Sequence, residues 1–418
     1  MNLKGVKRTV LDNGLTILTH HVPRAKKAVI LVGVKVGSIH ENEKLNGGSH
    51  FNEHLLFKSN AHRTAKEITE TLELGGAAIN AWTSFNETVF HVKCLPEALS
   101  EAVTVAYEAA TNFVYDPAEF AREKQVILTE IKLGIEDPGS YAFSHLFYPT
   151  LLAGTPLEKT VAGTEKAMGA ITSSDLICFK SDYYAPNNMV IVVVGKFDEK
   201  NLKAAIKKTF GTMPYVRGIR HPLFVAPPNR RQTKMETRGD LKQAYLALGY
   251  KVPSILSAET FKLRFLDGVL SAGFSSRMFQ KLREKNGIGY SVGSMYGSYA
   301  GVGLFGTYVA GFDAKRFLET QEIILGEFTD LKTNLLSDKE FDITRSLLVS
   351  QYSEGLDSLP KLARGILHTE IDGYPHDFRE AYKHIKKVTK KDVLEMARRY
   401  LTDEFTLTAL VPEGFKIS

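Results

Sequence analysis

Residues 116–131 read DPAEFAREKQVILTEI, and residues 337–352 read SDKEFDITRSLLVSQY. Both carry a Glu-Phe pair near the start, Glu119-Phe120 and Glu340-Phe341, and both continue with a mixed apolar and charged run suited to one face of a long helix. Asp116 followed by Pro117 is an N-cap and first-turn pair, so the first of these helices starts there and is expected to run until Pro138. A second echo lies further on: ITSSDLICFKSDYYAPNNMVIVVVGKFD (171–198) is repeated in outline by VTKKDVLEMARRYLTDEFTLTALVPEGF (388–415). Two echoes in the same order predict an internal duplication of one α+β domain.

The length of 418 residues suits two domains of about 200 residues each. The segment GTMPYVRGIRHPLFVAPPNRRQ (211–232) holds four prolines and no periodicity, which predicts a linker. The expected division is therefore a domain over 1–210, a linker over 211–232 and a second domain over 233–418. In the first, LTILTHHV (15–22) and AVILVGVKVGS (28–38) read as strands, AKEITETLELGG (65–76) as a helix stopped by glycines, and INAWTSFNETVFHVKCL (79–95) as a strand pair. LSEAVTVAYEAATNF (99–113) reads as an amphipathic helix and IVVVGKF (191–197) as a buried strand. In the second, GDLKQAYLALGYKV (239–252) reads as a strand and SAETFKLRFLDGVLS (257–271) as a helix. The expected fold class is α+β, with each domain a mostly antiparallel sheet packed with helices.

A helix beginning near Asn46 carries GGSHFNEHLLFK (47–58). His50 and His54 lie one turn apart, so both imidazoles leave one face about 6 Å apart along the axis and can meet one ion. Glu53 stands beside them, placed to take a proton from a metal-bound water. The order His-x-x-Glu-His is the inverted form of a metallopeptidase motif. A catalytic zinc site wants a third protein ligand and an open position, and a carboxylate is expected. Glu123 and Glu130 are two helical turns apart on one face, so that one can ligate while the other supports. Aligning the two copies sets Thr344 opposite Glu123 and Gln351 opposite Glu130, and the second copy's first helix has no His-x-x-Glu-His. Metal binding is expected in the first copy only.

With these residues in view, the chain resembles the pitrilysin family of inverted-motif zinc peptidases, which includes insulin-degrading enzyme and the mitochondrial processing peptidases. The resemblance runs from LDNGLTIL (11–18) to the closing strand. It implies zinc, one per chain, held by His50, His54 and Glu130, with Glu53 as general base and Glu123 as the supporting carboxylate. It implies that INAWTSFNET (79–88) is the edge strand where Asn80 and Ala81 pair with an extended peptide, reading main chain more than side chain. Trp82, the single tryptophan, stands beside them and can report peptide binding. LSAGFSSRMFQKLREKNGIGYSVGS (270–294) is similar to the family segment whose Arg and Tyr, here Arg283 and Tyr290, act on the substrate from the opposite half of the enclosure. Such groups are suitable donors to a carbonyl gaining negative charge. Half-length members pair two chains into a clam-shell chamber, which implies a homodimer here, with a heterodimer containing a paralogous subunit as the other arrangement. The alternative function is a non-catalytic core or partner subunit of a processing-peptidase-like complex. Two departures stand out: Asn52 where a hydrophobic residue is common, and Ser59 where glycine is usual.

Composition narrows the remaining classes. Charged residues make up 24% and hydrophobic residues 44%, ordinary values for a folded globular chain. The net charge of +6 is scattered in mixed clusters rather than gathered in a stripe, so no nucleic-acid partner is expected. No run reaches the roughly 20 apolar residues of a spanning helix, and no leader pattern opens the chain, so a cytoplasmic location without membrane partner is expected. Cys94 and Cys178 are too few for a thiolate cage and are expected to be structural.

Overall fold

The computed structural model describes residues 3–299, 301–374 and 377–416. Its elements fall into two compact units. The first holds residues 1–132, 159–222 and 355–378, and the second holds 133–158, 223–354 and 379–418. Each unit thus incorporates one segment from the other half of the sequence, whereas the sequence predicts contiguous halves.

The first unit is built on six strands: β1 (Lys7–Val10), β2 (Thr16–His21), β3 (Ala28–Val34), β4 (Ala78–Thr83), β5 (Thr88–Cys94) and β6 (Met189–Gly195). They lie in the order β1-β2-β6-β3-β5-β4, and only β2 and β6 run parallel. The second unit holds β7 (Gln232–Arg238), β8 (Ala244–Val252), β9 (Ser291–Ser298), β10 (Gly303–Phe312) and β11 (Thr406–Pro412) in the order β7-β11-β8-β10-β9. Again one pair, β7 with β11, is parallel. Apart from β1 the two sheets share one topology, as the duplication requires.

The runs AVILVGV in β3 and MVIVVVG in β6 are apolar throughout because both faces of these central strands are covered. On one face Ala28, Ile30, Val32, Ile191 and Val193 pack with Leu99, Val103 and Ala106 of the helix Leu99–Thr111 and with Leu202 and Ile206 of the helix Glu199–Lys208. On the other, Val29, Leu31, Val190, Val192 and Val194 pack with Leu362, Ala363, Ile366 and Leu367. These four belong to the helix Leu359–Ile371, drawn from late in the chain. Gly33 makes this approach possible, since a Cβ there would sit 2.8 Å from a Leu367 methyl. The second unit repeats the device: a Cβ on Gly249 would lie 2.6 Å from the ring of Phe147, in the π-helical turn Tyr141–Phe147. The strand sequences VGVKV (32–36) and LGYKV (248–252) therefore share their glycine for one reason.

Four helices position the site: α1 (Gly48–His54), α2 (Ala65–Leu74), α3 (Leu99–Thr111) and α4 (Pro117–Glu136). The capping box of Thr64 and Glu67 starts α2, and Gly75 stops it, as the sequence predicts. Residues 214–231 form neither helix nor strand. Among the described residues, no helix is long and apolar enough to cross a membrane.

Candidate metal centre

The helix bearing both histidines is only seven residues long, so its start has to be fixed by more than propensity. Gly47 adopts a left-handed conformation (φ +94°), and a Cβ there would lie 2.7 Å from the Ala162 carbonyl oxygen. The buried carboxylate of Glu41 accepts the N–H groups of Gly47 and Ser49, both at 2.7 Å, and the Asn46 side-chain amide at 3.3 Å. It satisfies helix-start donors that would otherwise face the protein interior. Burial pushes its carboxyl up to about 7, against the pull of those donors.

From this start, α1 brings the rings of His50 and His54 to 4.7 Å between centroids. The carboxylate of Glu130, on α4, lies 3.7 Å from His50 Nε2 and 3.5 Å from His54 Nε2. All three donor atoms fall within 4.8 Å of one another. Ligand atoms about 2.1 Å from a tetrahedral zinc stand roughly 3.4 Å apart. Two imidazole nitrogens and one carboxylate oxygen in this arrangement fit zinc with little movement. Burial and the neighbouring His54 lower the His50 imidazole to about 4, so at neutral pH it is uncharged and keeps a lone pair for a metal.

Glu123 lies two turns before Glu130 on α4, where it accepts a hydrogen bond from His54 Nδ1 at 3.2 Å and pairs with Lys58 at 2.6 Å. Burial alone would raise its carboxyl; the Lys58 and His54 contacts outweigh it and hold the group below the ordinary carboxylate range. A charged Glu123 can only accept, so His54 donates from Nδ1 and turns its Nε2 toward Glu130. Glu53 accepts a hydrogen bond from the Thr83 hydroxyl of β4 at 2.8 Å. Burial raises its carboxyl, opposed by that hydroxyl and by His54, which suits a group that must pick up a proton.

Both departures noted in the sequence acquire contacts. Asn52 is buried and accepts the Tyr115 hydroxyl at 2.8 Å, while its amide nitrogen has no hydrogen-bond partner among the described residues. Ser59 donates its N–H (2.8 Å) and hydroxyl (2.9 Å) to Glu119, tying the loop after α1 to the first turn of α4. Phe51 stacks on Phe120 at 4.7 Å and adds an apolar tie between the same two helices.

Asn80 and Ala81 lie on β4, which pairs with β5 alone and ends the sheet. The Ala81 N–H is accepted by the Asn80 side chain at 2.8 Å. Arg283 and Tyr290 belong to the second unit and meet each other: Arg283 donates to the Tyr290 carbonyl oxygen at 3.1 Å and its guanidinium lies 5.6 Å from the Tyr290 ring centre. Tyr290 is 81% exposed. Sequence reasoning missed Glu41 and Thr83. Thr83 could have been found from the two-residue period of β4, which sets it on the face of Ala81. Glu41 lies in a loop, where no periodicity marks a buried acid.

Residues 16–165 match the family model "Insulinase (Peptidase family M16)", and residues 170–348 match "Peptidase M16 inactive domain". A protein of Rickettsia felis named "uncharacterized zinc protease" is 31% identical over 301 residues, 72% of each chain. The chain belongs to the insulinase family, M16. Another relative, the "uncharacterized zinc protease YmxG" of Bacillus subtilis, is 28% identical over 413 residues, covering 98% of this chain and 99% of its own. In fold, the chain is similar to the crystal structure of a Helicobacter pylori protease, with a TM-score of 0.92, 23% identity, and coverage of 98% of this chain and 100% of that one. The "inactive domain" description falls largely on the copy whose Thr344 and Gln351 stand where the first has Glu123 and Glu130.

Proposed function

We propose that this M16 chain is a zinc metalloendopeptidase that hydrolyses unstructured peptides, with one zinc per chain. The observation that carries the reading is the meeting of His50, His54 and Glu130 donor atoms within 4.8 Å, with Glu53, the residue before His54, hydrogen-bonded by Thr83. The relatives' names, zinc proteases, agree with that donor set. Zinc held there supplies a Lewis acid for water and the scissile carbonyl. Glu53 takes the proton of the attacking water and passes it to the leaving amine. Glu123 fixes the His54 tautomer. The extended peptide adds to the open edge of β4 at Asn80 and Ala81, its carbonyl taking over the Ala81 N–H. Arg283 and Tyr290, supplied by a second copy in a homodimer, donate to the carbonyl oxygen as charge develops. The non-catalytic subunit alternative has no missing ligand in the first unit to favour it.

The test compares wild type with Glu53→Gln for bound zinc and for cleavage of a fluorogenic peptide of about 15 residues, long enough to cross a binding cleft. Both proteins are expected to hold zinc, and Glu53→Gln to lose about 10²- to 10⁴-fold in kcat. Absence of both metal and cleavage in wild type defeats the reading.

A further inference from the structure

Along β4 the side chains alternate between two faces. Thr83 meets Glu53 of α1 on one face, and Ile79 and Ala81 pack in the core on that side. Asn80 and Trp82 take the other face, where Trp82 packs with residues of the helix Leu359–Ile371. There the guanidinium of Arg364 lies 4.9 Å from the Trp82 ring centre. Arg364 is exposed, and its Nε donates to His368 Nε2 at 3.2 Å. Among the described residues no carboxylate makes an ion pair with it. The nearby acid, Glu87, is 1% exposed and turned inward, accepting Trp82 Nε1–H at 2.9 Å and facing His368 at 3.3 Å. Asp372 is likewise engaged, by the Asn86 amide at 2.5 Å and by His368 at 3.6 Å. The result is a stacked, outward-facing guanidinium, held over an aromatic ring whose other contacts fix it in place.

A peptide strand added to β4 sends every second side chain onto this face, with Cβ atoms about 5 Å from those of β4. We infer that Arg364 on Trp82 forms a subsite for an acidic side chain of the bound peptide, so that the enzyme selects peptides carrying Asp or Glu at that position. The inference rests on the strand-addition reading above. A guanidinium offers two parallel donors to a carboxylate, and the ring beneath it excludes water from one side of the pair. A lysine at the same place meets a like charge.

Trp82 is the sole tryptophan, so its emission reports on this subsite directly. Zinc-loaded Glu53→Gln protein, which binds without turnover, is titrated with uncharged peptides of about 12 residues, a strand plus flanks. In the series a single Glu, Ala or Lys is moved along the frame. The expected result is a position where Glu binds about fivefold tighter than Ala and Lys binds more weakly, the size of a half-exposed charge pair. Adding Arg364→Gln brings the Glu-to-Ala ratio to near one, and Arg364→Glu reverses the order of Glu and Lys. If the peptides bind with no Glu preference, or with one that Arg364→Gln leaves intact, the subsite is refuted while strand addition stands. If no peptide alters Trp82 emission or shows binding by anisotropy, both fall together.

Discussion

Two carboxylates on one helix do different work because their neighbours differ. Glu130 faces the imidazoles of His50 and His54, whereas Glu123 is saturated by Lys58 and His54. Removing Glu123 frees the His54 ring to rotate and to shift its proton to Nε2. Glu123→Ala should therefore keep the fold and weaken zinc binding about 10- to 100-fold, measured by competition with a chelating dye. Unchanged affinity would mean that packing alone orients His54.

At the scale of elements, the short helix α1 depends on Glu41, which caps its start from within the core. Glu41→Gln leaves at least one buried N–H without an acceptor and should cost about 1–3 kcal/mol, read as a lower denaturant midpoint. A second buried group ties the end of α3. Lys180, from the helix Ser173–Tyr183, donates to the carbonyl oxygens of Ala109 (2.8 Å) and Asn112 (2.7 Å) and lies under the rings of Phe113, Tyr115 and Tyr184. Burial lowers its ammonium from 10.5 to about 7. Between those values the unfolded chain carries a proton that the folded one has released, so stability rises with pH across that window and the full penalty applies below it. Wild type should gain on Lys180→Met in urea midpoint between about pH 6 and about pH 10. A constant difference would show that Lys180 stays charged throughout. These elements also show how far the sequence can be read. The helices α1 to α4 were legible because their caps and periodicity are local, and β3 and β6 because strands covered on both faces are apolar throughout. The meeting of His50, His54 and Glu130 was expected from spacing and resemblance. Glu41 and Thr83 were not legible, since what makes them matter is a partner on another element.

For the whole molecule, the proposed homodimer makes each site depend on two copies, one giving Glu53 and zinc and the other Arg283 and Tyr290. Glu53→Gln and Arg283→Ala, each inactive alone, should regain roughly a quarter of wild-type peptidase activity when mixed and allowed to exchange, because half the dimers are hybrids with one complete site. No recovery, with exchange verified by sedimentation or label mixing, would place both groups in one chain. Where the helix Leu359–Ile371 would settle was hidden from the sequence: its apolar stripe fits any apolar face, and its match to the gap left by Gly33 shows only in the fold. That late arrival has a consequence for synthesis. About 130 residues separate Pro222 from Gly355, so a ribosome needs on the order of ten seconds, at ~5–20 residues per second, between finishing the first unit's strands and delivering its last helix. Throughout that interval Val29, Leu31, Val190, Val192 and Val194 lack their cover. The nascent chain keeps this apolar face open until the helix emerges, and holding it soluble until then is a task for whatever escorts it from the ribosome.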